Sequence, residues 1–177
     1  VLDYAADANG NAPGCYVLAD DNTKHSLQSG SSTTGEITIS SGSFEVEDNT
    51  TTKIVLDFDV RKAIKKQDAP QADDEYDFVT DAELQSSVRL VNKQQAGKVT
   101  GSVDDNLSVA GDRIVVYAYK KETYSQQTET QGQGSSNIMF KNAVTSAVVT
   151  NDGSYNLSFL SEGDYELYYV GYEDTNN

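Results

Sequence analysis

Residues 147–172 (AVVTNDGSYNLSFLSEGDYELYYVGY) alternate apolar and polar side chains on either side of two turn signals, and this pattern constrains the fold more than any other in the chain. Successive side chains of a strand point to opposite faces, so Tyr155, Leu157 and Phe159 should share one face. Tyr165, Leu167 and Tyr169 should share a face of the next strand, with Ser161-Glu162-Gly163-Asp164 turning the chain between them. That spacing predicts a β-hairpin. Asn151-Asp152-Gly153 predicts a second turn upstream, because these residues tolerate the positive φ of tight turns. The chain is therefore expected to end as a meander of antiparallel strands.

The rest of the sequence suits the same class. A chain of 177 residues can form one large β domain or two small ones, and a hydrophobic share of 37% fits many short strands with polar outer faces. There is no tryptophan but there are 11 tyrosines, residues that favour strands and can keep a hydroxyl wet at a surface. Lys and Arg total 13 against 28 Asp and Glu, and the net charge of −15 opposes binding to a phosphate backbone. Nucleic acid is thus excluded as an expected partner. Arg61, Lys62, Lys65 and Lys66 form the one basic cluster, read as the solvated side of a short helix. No apolar stretch approaches the roughly 20 residues of a membrane-spanning helix, so the chain is expected not to span a membrane. With one cysteine, Cys15, no intrachain disulfide can form.

Three strands are predicted early in the chain, around Ile37 and Ile39, Phe44 and Val46, and Ile54, Leu56 and Phe58. Ser41-Gly42 and Asp48-Asn49-Thr50 supply the turns. Asp59 can cap a helix over residues 60–66, the one helix the sequence argues for. An acidic stretch over residues 68–77 follows, then a strand at Val88-Arg89-Leu90-Val91. Unpatterned polar residues near Gln95 divide the chain into two units, 1–95 and 96–177. The second opens with strands at residues 98–103 and 113–119, and residues 122–137, rich in Gln, Ser, Thr and Gly, read as a long loop without core residues beyond Tyr124. Residues 138–140 and 143–149 resume the sheet. The expected fold is all-β, two small antiparallel β-sandwich units with one short helix in the first.

Two resemblances follow from these motifs. Val99-Thr100-Gly101-Ser102-Val103 and Asp152-Gly153-Ser154-Tyr155, with Leu160 and Gly163-Asp164-Tyr165-Glu166-Leu167, resemble the carboxypeptidase regulatory-like, or transthyretin-like, β-sandwich family over most of residues 96–174. Members of that family usually serve as accessory or structural domains. The first unit resembles a bacterial domain of unknown function found in secreted or lipid-anchored surface proteins. The resemblance is carried by Ser29-Gly30, by Val55-Leu56-Asp57-Phe58-Asp59 with Arg61-Lys62-Ala63-Ile64, and by Val88-Arg89-Leu90-Val91. It implies that Val1-Leu2-Asp3 is the tail of a strand whose earlier neighbours are missing. A sheet opened in that way exposes N–H and C=O groups that a strand of another subunit could complete. The alternative is that those strands belong to a longer chain.

Chemistry is weakly signalled. His25 is the sole histidine, sits in a polar stretch and has no Gly-x-Ser-x-Gly motif to accompany it, so it reads as a surface residue. Cys15 reads as a small strand residue, and Asp57 and Asp59 as the outer face and cap of one element. Oxygen donors cluster at Asp7, Asn9 and Asn11, at Asp73, Asp74, Glu75 and Asp77, and at Asp104, Asp105 and Asn106. None has the EF-hand order, so they read as solvated loops, with calcium as their functional alternative. No other cofactor is expected. Val1, Leu2, Tyr165, Tyr168, Tyr169 and Tyr172 are the candidate interface residues, the tyrosines of the last strand falling on both faces. Cross-strand packing against Tyr117 and Tyr119 is the simpler account of them.

Together these features point to a non-enzymatic, extracellular structural subunit of a bacterial surface assembly or fibre, joined by β-strand completion. Its expected partners are copies of itself or other surface proteins, with glycans as a further candidate. The alternative is a polysaccharide- or calcium-binding module of a surface lipoprotein.

Overall fold

Alternating segments become strands where a neighbour can satisfy their backbone groups, and in this chain the neighbours are mostly distant in sequence. A computed structural model describes residues 1–29, 33–39, 46, 48–67, 75–104 and 111–173. It is an all-β fold of small sheets with three short helices among the described residues. The chain divides into two compact units, the first made of Val1–Ser41, Phe58–Arg89 and Gly132–Ile138 and the second of Gly42–Asp57, Leu90–Gln131 and Met139–Asn177.

In the first unit, β1 (Leu2–Asp3) pairs with β4 (Thr34–Gly35), and β2 (Tyr16–Leu18) pairs with β3 (Lys24–Ser26), both antiparallel. Strand β5 (Ile54–Phe58), which belongs to the second unit through Asp57, leads into helix α1 (Val60–Ala63) of the first, whose first turn is capped by Asp59: its carboxylate accepts the Arg61 N–H at 3.2 Å. The expected helix over residues 60–66 stops at Ala63. Ile64 is extended (φ −117°), and β6 (Ile64–Lys66) pairs antiparallel with β7 (Tyr76–Phe78). Three ladder residues and a core seat for Ile64 outweigh one further helical turn, so Lys65 and Lys66 lie on a strand rather than on the same helical face as Arg61 and Lys62. Helix α2 (Asp81–Ser86) follows and leads into β8 (Val88–Asn92), the partner of β5.

Tyr4, Leu27, Ala63, Phe78, Val79 and Leu84 form the buried core of this unit, with Ile37, Phe58, Ile64 and Ile138 packed against it. Ile37 and Ile39 were expected in a strand. Neither is in one: β4 ends at Gly35, and Ile37 packs against this core from outside any strand. Val46 is exposed and outside any strand. Phe44 and the turn at Ser41-Gly42 lie outside the described residues.

The second unit is organised by β10 (Arg113–Lys120), the central strand of a three-stranded sheet. β9 (Gly97–Ser102) and the helical turn α3 (Gln126–Glu129) precede β11 (Thr145–Val148), β12 (Ser154–Leu160) and β13 (Tyr165–Tyr172). The sheet order is β11-β10-β13, and β12 pairs with β9. The two strands of the expected terminal hairpin both form, but they do not pair with each other. β13 matches β10 over eight residues, from Arg113↔Tyr172 to Lys120↔Tyr165, and β12 runs beside β9. The turn at Ser161–Asp164 instead carries the chain from one sheet to the other. The Lys120 ammonium donates to the Glu162 carbonyl at 3.0 Å and the Tyr165 hydroxyl to the Ser161 carbonyl at 2.8 Å, which holds the crossing.

Period-two alternation along β10 sends Val116 and Ala118 into a core shared with Tyr155, Leu157 and Leu160. Val115, Tyr117 and Tyr119 point the other way, onto Phe140 and Ala143. Phe159 was expected beside Leu157, but the register of β12 shifts between Leu157 and Leu160, Phe159 takes φ +57°, and Leu160 fills the core position. Gly101 is required opposite Tyr155, since a Cβ there would overlap the tyrosine hydroxyl.

Residues 138–140 do not rejoin the sheet. Ile138 exchanges backbone hydrogen bonds with Gln133, and Phe140, at φ +53°, stacks on Tyr117 with ring centroids 4.5 Å apart. Residues 122–137 are more ordered than their composition suggests: they contain α3 and two buried polar residues, Glu129 and Ser136.

Candidate interaction surface

Strand β5 carries Ile54 and Leu56 at alternate positions, so both project from one face. Ile54 is 41% exposed and Leu56 61%. Among the described residues β5 has one strand neighbour, β8, and its other edge carries no ladder. An edge of this kind, with large apolar side chains in solvent, is a template for another strand.

The expected interface residues separate by unit and by face. Val1 is 91% exposed, while Leu2 packs toward the first unit's core and sits opposite Gly35. On β13, Tyr165 and Tyr169 face the core between the sheets, and the Tyr169 hydroxyl donates to that of Tyr155 at 3.0 Å. Burial, then the hydrogen bond to Tyr155, pushes the Tyr169 phenol up to about 12. Tyr168 and Tyr172 lie on the opposite face with Tyr117 and Tyr119, as cross-strand packing requires. The Tyr117 and Tyr172 hydroxyls are 2.6 Å apart, and Tyr168 meets Tyr119 edge-on with centroids 5.7 Å apart.

The acidic candidates are engaged within the fold. Glu75 lies 3.4 Å from the Lys66 ammonium, and Asp77 accepts from the Gln67 amide at 2.8 Å. Asp73, Asp74, Asp105 and Asn106 lie outside the described residues. Asp7 closes its own loop, accepting from the backbone of Asn9 and Asn11 and from the Asn11 side chain, bonds that lower its carboxyl pKa. Among the described residues no three His, Cys, Asp or Glu side chains are placed to hold a metal ion.

His25 is not the exposed residue its polar surroundings suggest. It lies opposite Val17, a residue packed on the core, and the two share a face, so the imidazole is drawn in beside the Tyr76 ring, 6.0 Å away and edge-on. Its Nε2 is 4.0 Å from Glu75. Cys15 donates to the Asp3 carbonyl at 3.5 Å, and burial, with the Asp3 charge, pushes its thiol pKa up, away from nucleophile chemistry.

The two most elaborate polar nodes were not singled out by sequence. Glu83 is buried in the first unit, where it accepts from the Thr80 hydroxyl at 2.7 Å and N–H at 3.3 Å, and from the Ser136 hydroxyl at 2.6 Å and N–H at 3.1 Å. Burial opposes its ionisation, but these bonds outweigh it and hold the carboxyl at about 2. Thr80-x-x-Glu83 is a capping box, a signal legible in the sequence. In the second unit Glu129 accepts from the Tyr119 hydroxyl at 2.8 Å and from the Asn142 amide at 2.5 Å. No local motif announces that node. The groove along Thr100, Ser102, Ala147, Thr150 and Asn156 is shallow and lined without Asp, Glu, His, Lys or Arg.

Compared with known proteins, the chain matches no family model, and no curated protein or solved structure is significantly similar to it.

Proposed function

We propose that this chain is a non-enzymatic structural subunit of an extracellular bacterial surface assembly, joined to its neighbours by strand addition. The observation that carries this reading is β5, which among the described residues has a single strand neighbour and presents Ile54 and Leu56 to solvent. A strand added there would gain main-chain hydrogen bonds, and the alternate apolar side chains would set its register. If the added strand comes from a surface other than β5, the contact would propagate head to tail; β5 pairing with β5 of another copy would close into a dimer. The reading is supported further by the buried carboxylates. Glu83 and Glu129 are consumed in holding helices and loops in place, so neither is aimed at a groove where a substrate could sit. The facing sheets of the second unit also suit the likeness to transthyretin-like sandwiches, a family that builds accessory and structural domains. The bacterial surface location rests on the likeness of the first unit.

Size-exclusion chromatography with light scattering tests this directly. The protein should form multimers whose mass grows with concentration, and Leu56→Lys should shift the population to monomer while leaving the circular dichroism spectrum unchanged. A protein that stays monomeric at every accessible concentration would overturn the reading.

A further inference from the structure

On the outer face of the three-stranded sheet three tyrosines converge. Tyr124 and Tyr168 stack with ring centroids 3.5 Å apart and planes inclined by 21°, and both rings are only half-buried. Tyr119, wholly buried, meets each of them edge-on, at 5.0 Å and 5.7 Å. Two of the three hydroxyls have a carboxylate to receive their proton: Tyr168 donates to Glu166 at 3.3 Å and Tyr119 to Glu129 at 2.8 Å.

Oxidising a phenol by one electron is easiest when its proton has an acceptor and the resulting hole can spread over a second ring in contact. Tyr168 meets the first condition through Glu166 and the second through its stacked partner Tyr124, and both rings are half-buried, within reach of an oxidant at the surface. We propose that Tyr124 and Tyr168 form an oxidative cross-linking site, closed to an intrachain dityrosine by a haem peroxidase with hydrogen peroxide. Each phenol loses one electron and one proton to give a tyrosyl radical, the Glu166 carboxylate receiving the proton of Tyr168. The two radicals join through a carbon–carbon bond between ring positions ortho to the hydroxyls. Each of those carbons then gives up its hydrogen as a proton, and each ring oxygen takes up a proton from solvent as the rings regain aromaticity as phenols, so in net one peroxide is reduced to two waters and the protein loses two hydrogen atoms. The rings are already in van der Waals contact, and rotation of the half-buried side chains brings the ortho carbons together. The link would tie the segment after β10 to β13 across residues 124–168. A covalent loop of this kind stabilises a fold by restricting its unfolded chain, as a disulfide does in oxidising surroundings.

The test is to treat the intact protein with horseradish peroxidase and limiting hydrogen peroxide, then record dityrosine fluorescence, intact mass and the cross-linked peptides after digestion. The expected product is a monomer lighter by two hydrogen atoms, with peptides containing Tyr124 and Tyr168 joined. Tyr124→Phe and Tyr168→Phe each keep the stacked ring but should lose that product at least tenfold. Glu166→Gln should slow its formation near neutral pH, and the difference from wild type should vanish at pH values where free phenol is already ionised, a convergence that a merely structural role would not give. Undiminished intrachain dityrosine in both Phe variants, or coupling found only between chains or between other tyrosines, would overturn the proposal.

Discussion

Glu83 shows how hydrogen bonds can hold one buried carboxyl in its charged form. Burial alone would raise its pKa, yet two hydroxyls and two backbone N–H groups point at its oxygens and the carboxyl stays near 2. Because the folded value lies below the ordinary 4.5, ionised Glu83 stabilises the fold fully above that value, by about 3 kcal/mol. That contribution is lost as the pH falls from 4.5 toward 2. Glu83→Gln keeps the shape but offers one acceptor in place of two and brings N–H donors against donors. We expect it to lower stability at pH 7 by about 2–3 kcal/mol, with the gap from wild type closing as the pH falls below 4. Urea melts at pH 7 and pH 3 check this. A variant deficit that is the same at both values would remove the charge from the account.

At the scale of elements, α3 is the clearest case of structure held by a distant partner. It is a single turn of four residues, too short to persist alone, and it is fixed because Glu129 accepts from Tyr119 on β10 and from Asn142 beyond the turn. Glu129→Ala would leave the buried Tyr119 hydroxyl without an acceptor, at a cost of about 2–4 kcal/mol. Amide exchange should then speed up first at Thr128, Glu129 and Phe140, whose N–H groups bond within this node, while β10 stays protected. Uniform loss of protection across the unit would mean that α3 has no separate stability. The strands themselves were legible: β5, β8, β9, β10, β12 and β13 fall where apolar alternation and turn residues place them. Their partners were not, because alternation is a local property and pairing is not. The Ser161–Asp164 turn could close a hairpin or cross between sheets, and only the eight-residue match of β13 to β10 decides it. Helix α2 was legible in Thr80-x-x-Glu83 and was missed for want of an apolar stripe. Of the candidate surface, Leu56 was read as a core strand residue, since period two identifies a face without saying which face is covered.

For the whole molecule, charge and assembly pull in opposite directions. Each copy carries −15, so every subunit added to a strand-joined array brings like charge against like charge. Two of each copy's lysines do little to relieve this, since Lys62 pairs with Asp59 and Lys66 with Glu75 within the chain itself. If association is driven by β5 through main-chain bonds and the burial of Ile54 and Leu56, salt acts only on the repulsion. Raising ionic strength from about 10 mM to about 150 mM shortens the Debye length from about 30 Å to about 8 Å, which removes most repulsion between copies while leaving apolar burial intact. Multimer mass measured by light scattering at pH 7 should therefore rise over that range of sodium chloride. Ion pairs between subunits would be screened by the same salt, so mass falling as salt is added would assign the contact to charge and remove β5 as its driver.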